Sequence, residues 1–311
     1  MQKPALKPIS LAADQAGVTA ELGASLRRFG FAMVRDHGID PALIARGREL
    51  TAEFFALPLA EKQRYFLTGQ GGARGYTPFG TEIAKGADRH DLKEFWHVGR
   101  DLPPGHRLEA TMPSNVWADQ IDGFRETFTQ LYAEFDRAGS AILSCIALDL
   151  GLDARWFNSA IADGNSVLRL LHYPPIANAP AGAIRAGAHG DINLITLLLG
   201  AEEAGLELLD HNGEWLTVDP PKGALVVNIG DMLERLTNHA MPSTIHRVRN
   251  PDPARAEFSR YSMPFFLHPR SDFSIATLPG CITPENPDRY PEAITADEFL
   301  QERLREIGLK K

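Results

Sequence analysis

From residue 153 to residue 266 the chain is a succession of short β-prone runs broken by turn residues, and no stretch of helical period lies between them. Residues 167–173 form one run, closed by Pro174-Pro175, and residues 192–199 form the next. Residues 206–209 and 215–218 flank Asp210-His211-Asn212-Gly213, where Asn-Gly suits the positive φ angles of a hairpin turn. Further runs lie at 225–229, 244–248 and 258–266. Parallel strands need a long crossover, ordinarily a helix, and the spacing leaves no room for one. The pattern predicts an antiparallel sandwich or barrel such as a jelly roll, and it excludes a βαβ sheet.

The flanks read differently. Residues 13–28 carry Val18, Leu22 and Leu26 at a spacing of four, which is one face of a helix. A β-like run over 29–34 stops at Asp36-His37-Gly38. Asp40-Pro41 then offers a helix N-cap with proline in the first turn, and Leu43, Ile44, Leu50, Phe54 and Phe55 supply an apolar stripe that ends at Pro58. Residues 69–99 are rich in glycine, aromatic and charged side chains and read as a long ordered loop, a candidate lid. Residues 117–150 read as one long scaffold helix, because Phe124, Phe128, Leu131, Phe135, Ala138, Ile142 and Cys145 recur at intervals of three and four. A last helix over 294–307 opens with Thr295 and Glu298, the pair of a capping box.

Composition narrows the partners. The 311 residues hold 32 Lys and Arg against 40 Asp and Glu, a net charge of −8, with no basic stripe, so a nucleic acid or an anionic membrane surface is not the expected partner. No run of apolar residues is long enough to span a bilayer, and the first ten residues lack the apolar core of a signal peptide. Cys145 and Cys281 stand far apart and fit neither a disulfide framework nor a thiolate metal site. A cytoplasmic protein acting on a small molecule is the expectation, and no protein partner is evident.

Ten histidines are present, and the informative one is His189 in Gly187-Ala188-His189-Gly190-Asp191, at the lip of the apolar run that starts at Ile192. On an extended strand positions i and i+2 share a face, so the imidazole of His189 and the carboxylate of Asp191 converge. His246, in Ser243-Thr244-Ile245-His246-Arg247-Val248, is the best third ligand, again on a β-like run. Two imidazoles and one carboxylate on one face make the facial triad of non-haem Fe(II) oxygenases, whereas nothing here matches a helical zinc motif. Downstream, Arg260-Tyr261-Ser262 places a guanidinium and a hydroxyl on one strand face, a clamp suited to a carboxylate.

His189-x-Asp191, Gly230-Asp231-Met232, Thr237-Asn238, Ser243-Thr244-x-His246-Arg247-Val248 and Arg260-x-Ser262, in this order, resemble the isopenicillin N synthase-like family of 2-oxoglutarate/Fe(II)-dependent oxygenases. Phe29-Gly30-Phe31 and Asp36-His37-Gly38-Ile39 resemble the N-terminal region of the same family. The resemblance covers nearly the whole chain. It implies a mixed α and β fold, with a double-stranded β-helix (jelly-roll) core of mainly antiparallel strands flanked by N-terminal helices and one long central helix. The chain is then a single oxygenase domain over 1–311, with an N-terminal region to residue 110, the lid loop at 69–99, the long helix at 117–150, the core at 165–270 and a C-terminal segment beyond.

The resemblance further implies that His189, Asp191 and His246 bind Fe(II), and that Arg260 and Ser262 hold the distal carboxylate of the cosubstrate 2-oxoglutarate. Tyr173 matches a tyrosine that also reaches the cosubstrate, whereas Leu171 stands where many relatives have an asparagine. The implied reaction oxidises a small molecule with O2, most often by hydroxylation, and releases succinate and CO2. An alternative, closer to isopenicillin N synthase, uses Fe(II) and O2 without 2-oxoglutarate. A ligand-binding or sensor jelly roll is the reading from another class, and a binder has no need for open metal positions.

Overall fold

The computed structural model describes residues 6–69, 72–81, 91–175, 185–199, 205–250 and 256–306. Strand β1 (Pro8–Ser10) leads into helix α1 (Gln15–Phe29), which Asp14 caps by accepting from the Gly17 amide at 2.9 Å. The helix stops at Gly30, whose φ of +64° is the left-handed conformation that favours glycine. A Cβ there would lie 2.3 Å from the carbonyl oxygen of Pro242, so strand β2 (Phe31–Arg35) can enter the sheet only behind a glycine. Helix α2 (Pro41–Phe55) starts as expected, with the Asp40 carboxylate accepting from the Ala42 amide. Pro58 opens the short helix α3 (Leu59–Gln63).

The stretch 69–99 departs from the expected loop. It contains β3 (Gly75–Thr77) and β4 (Glu94–Gly99), both fully buried, and residues 82–90, with Glu82, Lys85 and Gly86, lie outside the described residues. In β4 both faces are covered, so Glu-Phe-Trp-His-Val-Gly lacks the polar alternation that marks a half-exposed strand. The long helix α4 (Phe124–Asp149) begins seven residues later than the apolar spacing suggests, because Gly123 takes φ +75°. A short α5 (Asn158–Ile161) follows.

The β-rich region contains β5 (Val167–Tyr173), β6 (Ala186–His189), β7 (Ile195–Leu199), β8 (Leu206–Leu209), β9 (Trp215–Thr217) and β10 (Leu225–Ile229). Helix α6 (Asp231–Leu236) interrupts it before β11 (His246–Val248), β12 (Arg260–Ser262) and β13 (Pro264–Leu267). The tail adds β14 (Ser274–Ile275), β15 (Ile294–Thr295) and α7 (Ala296–Glu306). The predicted capping box is present: the Thr295 hydroxyl accepts from the Glu298 amide, and the Glu298 carboxylate accepts from the Thr295 amide. Such a cap is worth about 1 kcal/mol.

A main sheet runs β1-β2-β10-β7-β13-β5-β4-β3, with β12 also on β5, and a smaller sheet runs β6-β11-β8-β9. Among the described pairs only β1 with β2 is parallel, so the antiparallel jelly-roll expectation holds. Register sorts the main sheet into two faces. Ala32, Leu197, Val227, Phe265, Leu170 and Trp96 turn outward into the core formed with α1, α2 and α4. Phe31, Asn228, Thr196, Phe266, Arg169, Leu171, Tyr173, Phe95 and His97 turn inward, toward the small sheet. No helix among the described residues is long and apolar enough to cross a membrane.

Candidate active site

His189 ends β6, His246 begins β11, and the two face each other across that strand pair with ring centroids 4.5 Å apart. Asp191 lies two residues beyond β6, just before a bend at 192–194, not on the extended strand that the sequence pattern suggests. Contacts from the main sheet hold it instead. Its Oδ2 accepts from the Thr196 hydroxyl at 2.5 Å and from the Asn228 amide at 2.7 Å. Asn228 is the one polar side chain in the apolar run of β10, which is the signal in the sequence that could have found it.

The histidines are oriented from behind in the same manner. Nδ1 of His189 donates to the Gly187 carbonyl at 2.7 Å, and Nδ1 of His246 to the Thr244 carbonyl at 3.2 Å. A carbonyl can only accept, so each Nδ1 carries a proton, and in the neutral ring Nε2 is then the atom that holds the lone pair. Each Nε2 stands 3.9 Å from Oδ1 of Asp191. The three ligand atoms lie within 4.8 Å of one another, each turned toward the others by a hydrogen bond on the far side of its side chain, as the ligands of a metal site are.

The charges agree with that role. Burial opposes ionisation of Asp191, but the neighbouring imidazoles and the two hydrogen bonds overcome it and hold the carboxyl below its usual range. Burial, with His246 adding to it, pushes the His189 imidazole down to about 4. At neutral pH the set is therefore a carboxylate and a neutral imidazole, the forms that ligate a divalent ion. Nitrogen and oxygen donors with no thiolate, on one face, suit Fe(II).

The motif residues around the triad hold it together. The Asp231 amide donates to the Asp191 carbonyl at 2.7 Å, and the Asp231 carboxylate accepts from the Ser243 hydroxyl at 2.6 Å. A Cβ at Gly230 would meet the Asn193 carbonyl at 2.2 Å, so only glycine lets the two segments approach. Asn238 binds the carbonyls of Asn286 and Pro287 and ties down the C-terminal segment. His37 does the same for the turn that leads into β10, through the Gly223 carbonyl at 2.8 Å.

The predicted carboxylate clamp sits on the main sheet, facing the strands that carry the histidines. Arg260 is cross-strand partner to Tyr173, and Ser262 to Leu171. All four are buried, with the Arg260 guanidinium 5.1 Å from the centre of the Tyr173 ring. Leu171 and Tyr173 share a small apolar cluster with Phe95, Ala186 of β6 and Val248 of β11. That cluster gives the physical context for leucine in place of asparagine: the position packs against apolar neighbours on β4, β6 and β11.

Comparison with known proteins agrees with this arrangement. Residues 5–120 match the family model described as non-haem dioxygenase in morphine synthesis N-terminal, and residues 164–269 match the 2OG-Fe(II) oxygenase superfamily. The chain is 31% identical over 286 residues to a 2-oxoglutarate-Fe(II) type oxidoreductase of Aspergillus fumigatus, covering 89% of this chain and 83% of that protein. Among solved structures, a 2OG-Fe(II) oxygenase family protein from Caulobacter crescentus superposes with a TM-score of 0.91 at 57% identity, over 97% of this chain and 99% of the other. A Neurospora crassa protein solved in complex with alpha-KG and thymine superposes with a TM-score of 0.84 at 29% identity, over 98% of each chain. Fold, donor set and these relationships agree, and the chain belongs to the isopenicillin N synthase-like family of 2-oxoglutarate- and Fe(II)-dependent oxygenases.

Proposed function

We propose that His189, Asp191 and His246 hold the iron, that Arg260 and Ser262 hold the distal carboxylate of 2-oxoglutarate with Tyr173 beside them, and that the reaction hydroxylates a small-molecule substrate. The observation that carries this reading is the pairing of three inward ligand atoms with a buried guanidinium and hydroxyl on the facing wall. Bound iron supplies the activation of O2, coupled to decarboxylation of 2-oxoglutarate to succinate and CO2, with one oxygen atom passing to a substrate C–H bond.

The protein's own groups do the rest. Thr196 and Asn228 keep Asp191 presenting Oδ1 to the ion, and the Gly187 and Thr244 carbonyls keep the two Nε2 atoms aimed at it. Arg260 can grip a carboxylate through two parallel hydrogen bonds, and its burial excludes the water that would compete. The whole chain works as one oxygenase domain, over 1–311, and the cytoplasm is its proposed setting because both cysteines are unpaired thiols.

The test is an anaerobic Fe(II) titration followed by 2-oxoglutarate. A weak visible charge-transfer band is expected when the keto acid joins the iron, and it is expected to vanish in Asp191→Ala. Iron binding without that band overturns the 2-oxoglutarate reading in favour of an oxidase that draws all its electrons from substrate.

A further inference from the structure

The strand pairing next to His189 is irregular, and a buried carboxylate compensates for it. Strand β11 takes two steps from His246 to Val248 while β6 takes three from Ala186 to His189, so β6 bulges at Gly187-Ala188. A bulge takes backbone groups out of the ladder, and a buried N–H left without an acceptor is costly. The Gly187 amide finds its acceptor outside the small sheet, at Oδ1 of Asp91, 3.1 Å away. The carbonyl of the same residue accepts from Nδ1 of His189 at 2.7 Å. One bulged glycine therefore links a carboxylate beside β4 to an iron ligand on β6.

Asp91 is placed for that contact by the pleat. In β4 the odd-numbered Phe95 and His97 turn inward, and Lys93 and Asp91, just before the strand, fall on the same side, while Glu94 turns outward to Lys62, Tyr76 and His172. Asp91 is buried, and its Oδ2 accepts from the Lys93 ammonium at 2.8 Å, so each of its oxygens has a donor. The Lys93 charge is felt at the metal site, where it adds to burial and to His246 in pushing the His189 imidazole down. A buried ion pair returns little net stability over an apolar pair of the same size, so stability alone does not account for a carboxylate at this place. Its contact with the bulge does.

We infer that Asp91 is a positioning residue for the metal: it fixes the bulge at Gly187, so that the Gly187 carbonyl keeps Nε2 of His189 on the ion. Asp91 stands outside the ligand set and acts only through that glycine. The inference rests on the iron-binding reading above, and the experiment separates the two.

Two double variants isolate the hydrogen bond, because each removes one negative and one positive charge and leaves the net charge as it was. Asp91→Ala with Lys93→Met lacks the acceptor for Gly187, whereas Asp91→Asn with Lys93→Met keeps an amide oxygen there. In an anaerobic Fe(II) titration, counted per folded molecule, the first is expected to bind iron about tenfold more weakly than wild type and the second within about threefold of it. Urea midpoints of both are expected to stay close to wild type, since apolar or neutral groups replace an ionic pair. Nitrogen NMR of the imidazole rings in the metal-free proteins reports the cause: in the alanine variant His189 is expected to lose its fixed Nδ1–H form, while His246 keeps it. Undiminished iron affinity in the alanine variant, equal losses in both variants, or a loss of iron with the His189 ring unchanged overturns the proposal. If the wild type itself takes up no Fe(II), the iron-site reading fails instead.

Discussion

Strand β5 separates two clusters built from the same kinds of side chain. Its inner face looks toward His189, Asp191 and His246, and its outer face sends His172 to a buried group of Lys62, Tyr76 and Glu94. In the outer cluster every valence is used. Glu94 receives the Lys62 ammonium on both oxygens at 2.8 Å, the Tyr76 hydroxyl at 2.5 Å and Nδ1 of His172 at 2.8 Å, while Nε2 of His172 meets the Ser259 hydroxyl at 3.0 Å. Burial opposes the Glu94 charge, and those three partners overcome it and hold the carboxyl below its usual range. In the inner cluster each histidine spends only Nδ1 on the protein and Asp191 only Oδ2, so two Nε2 atoms and Oδ1 converge. Histidine beside carboxylate does not identify a site; ligand atoms left facing one another do.

Reciprocal substitutions put the largest strain on that contrast. Asp191→Ala is expected to reduce turnover to background and to abolish iron uptake in the anaerobic titration, with little change in the urea midpoint of the metal-free protein. Glu94→Ala is expected to do the reverse. It leaves the Lys62 ammonium buried against little more than the Phe55 carbonyl, at a cost of about 3–5 kcal/mol in urea unfolding, with iron affinity per folded molecule unchanged. If Glu94→Ala lost iron while keeping its stability, the two clusters would not be separate in function. Arg260→Ala comes next: 2-oxoglutarate affinity is expected to fall by about thirtyfold or more in the same titration, with iron binding retained. Asn228→Ala, which removes a donor to Asp191 and no ligand, is expected to weaken iron binding by about 10–100-fold.

The two clusters were unequally legible in the sequence. The triad and clamp lie in short motifs within single β-runs, so His189, Asp191, His246, Arg260 and Ser262 could be named from spacing and resemblance. The reason Asp191 points where it does could not be read. It follows the end of β6, and its aim comes from Thr196 and Asn228, the latter reached only when β10 pairs with β7. The outer cluster joins Lys62 to Glu94 and Glu94 to His172 through strand pairing alone, which local pattern does not carry. β4 was hidden for a related reason, since a strand covered on both faces has no polar alternation to display. The Arg169–His97 bond belongs to the same hidden register.

Acid titration of the metal-free protein gives the smallest expected effect and a finer test of the same division. The inward-facing His268 lacks the carboxylate contact that His172 has on the other side, and burial pushes its imidazole down to about 4, against an ordinary value of 6.5. Between those values the unfolded chain takes up a proton that the folded chain refuses, so stability present above pH 6.5 is lost as pH falls toward 4. At pH 5 the loss from this residue is at most about 2 kcal/mol, reduced by the water that reaches its half-buried ring. His189, also held down to about 4, adds to the fall in the same direction. Urea midpoints at pH 7 and pH 5 measure the drop, and His268→Gln is expected to shrink the difference without removing it. A difference of wild-type size in that variant would place the acid sensitivity elsewhere, and His268 would cease to distinguish the inner face from the outer.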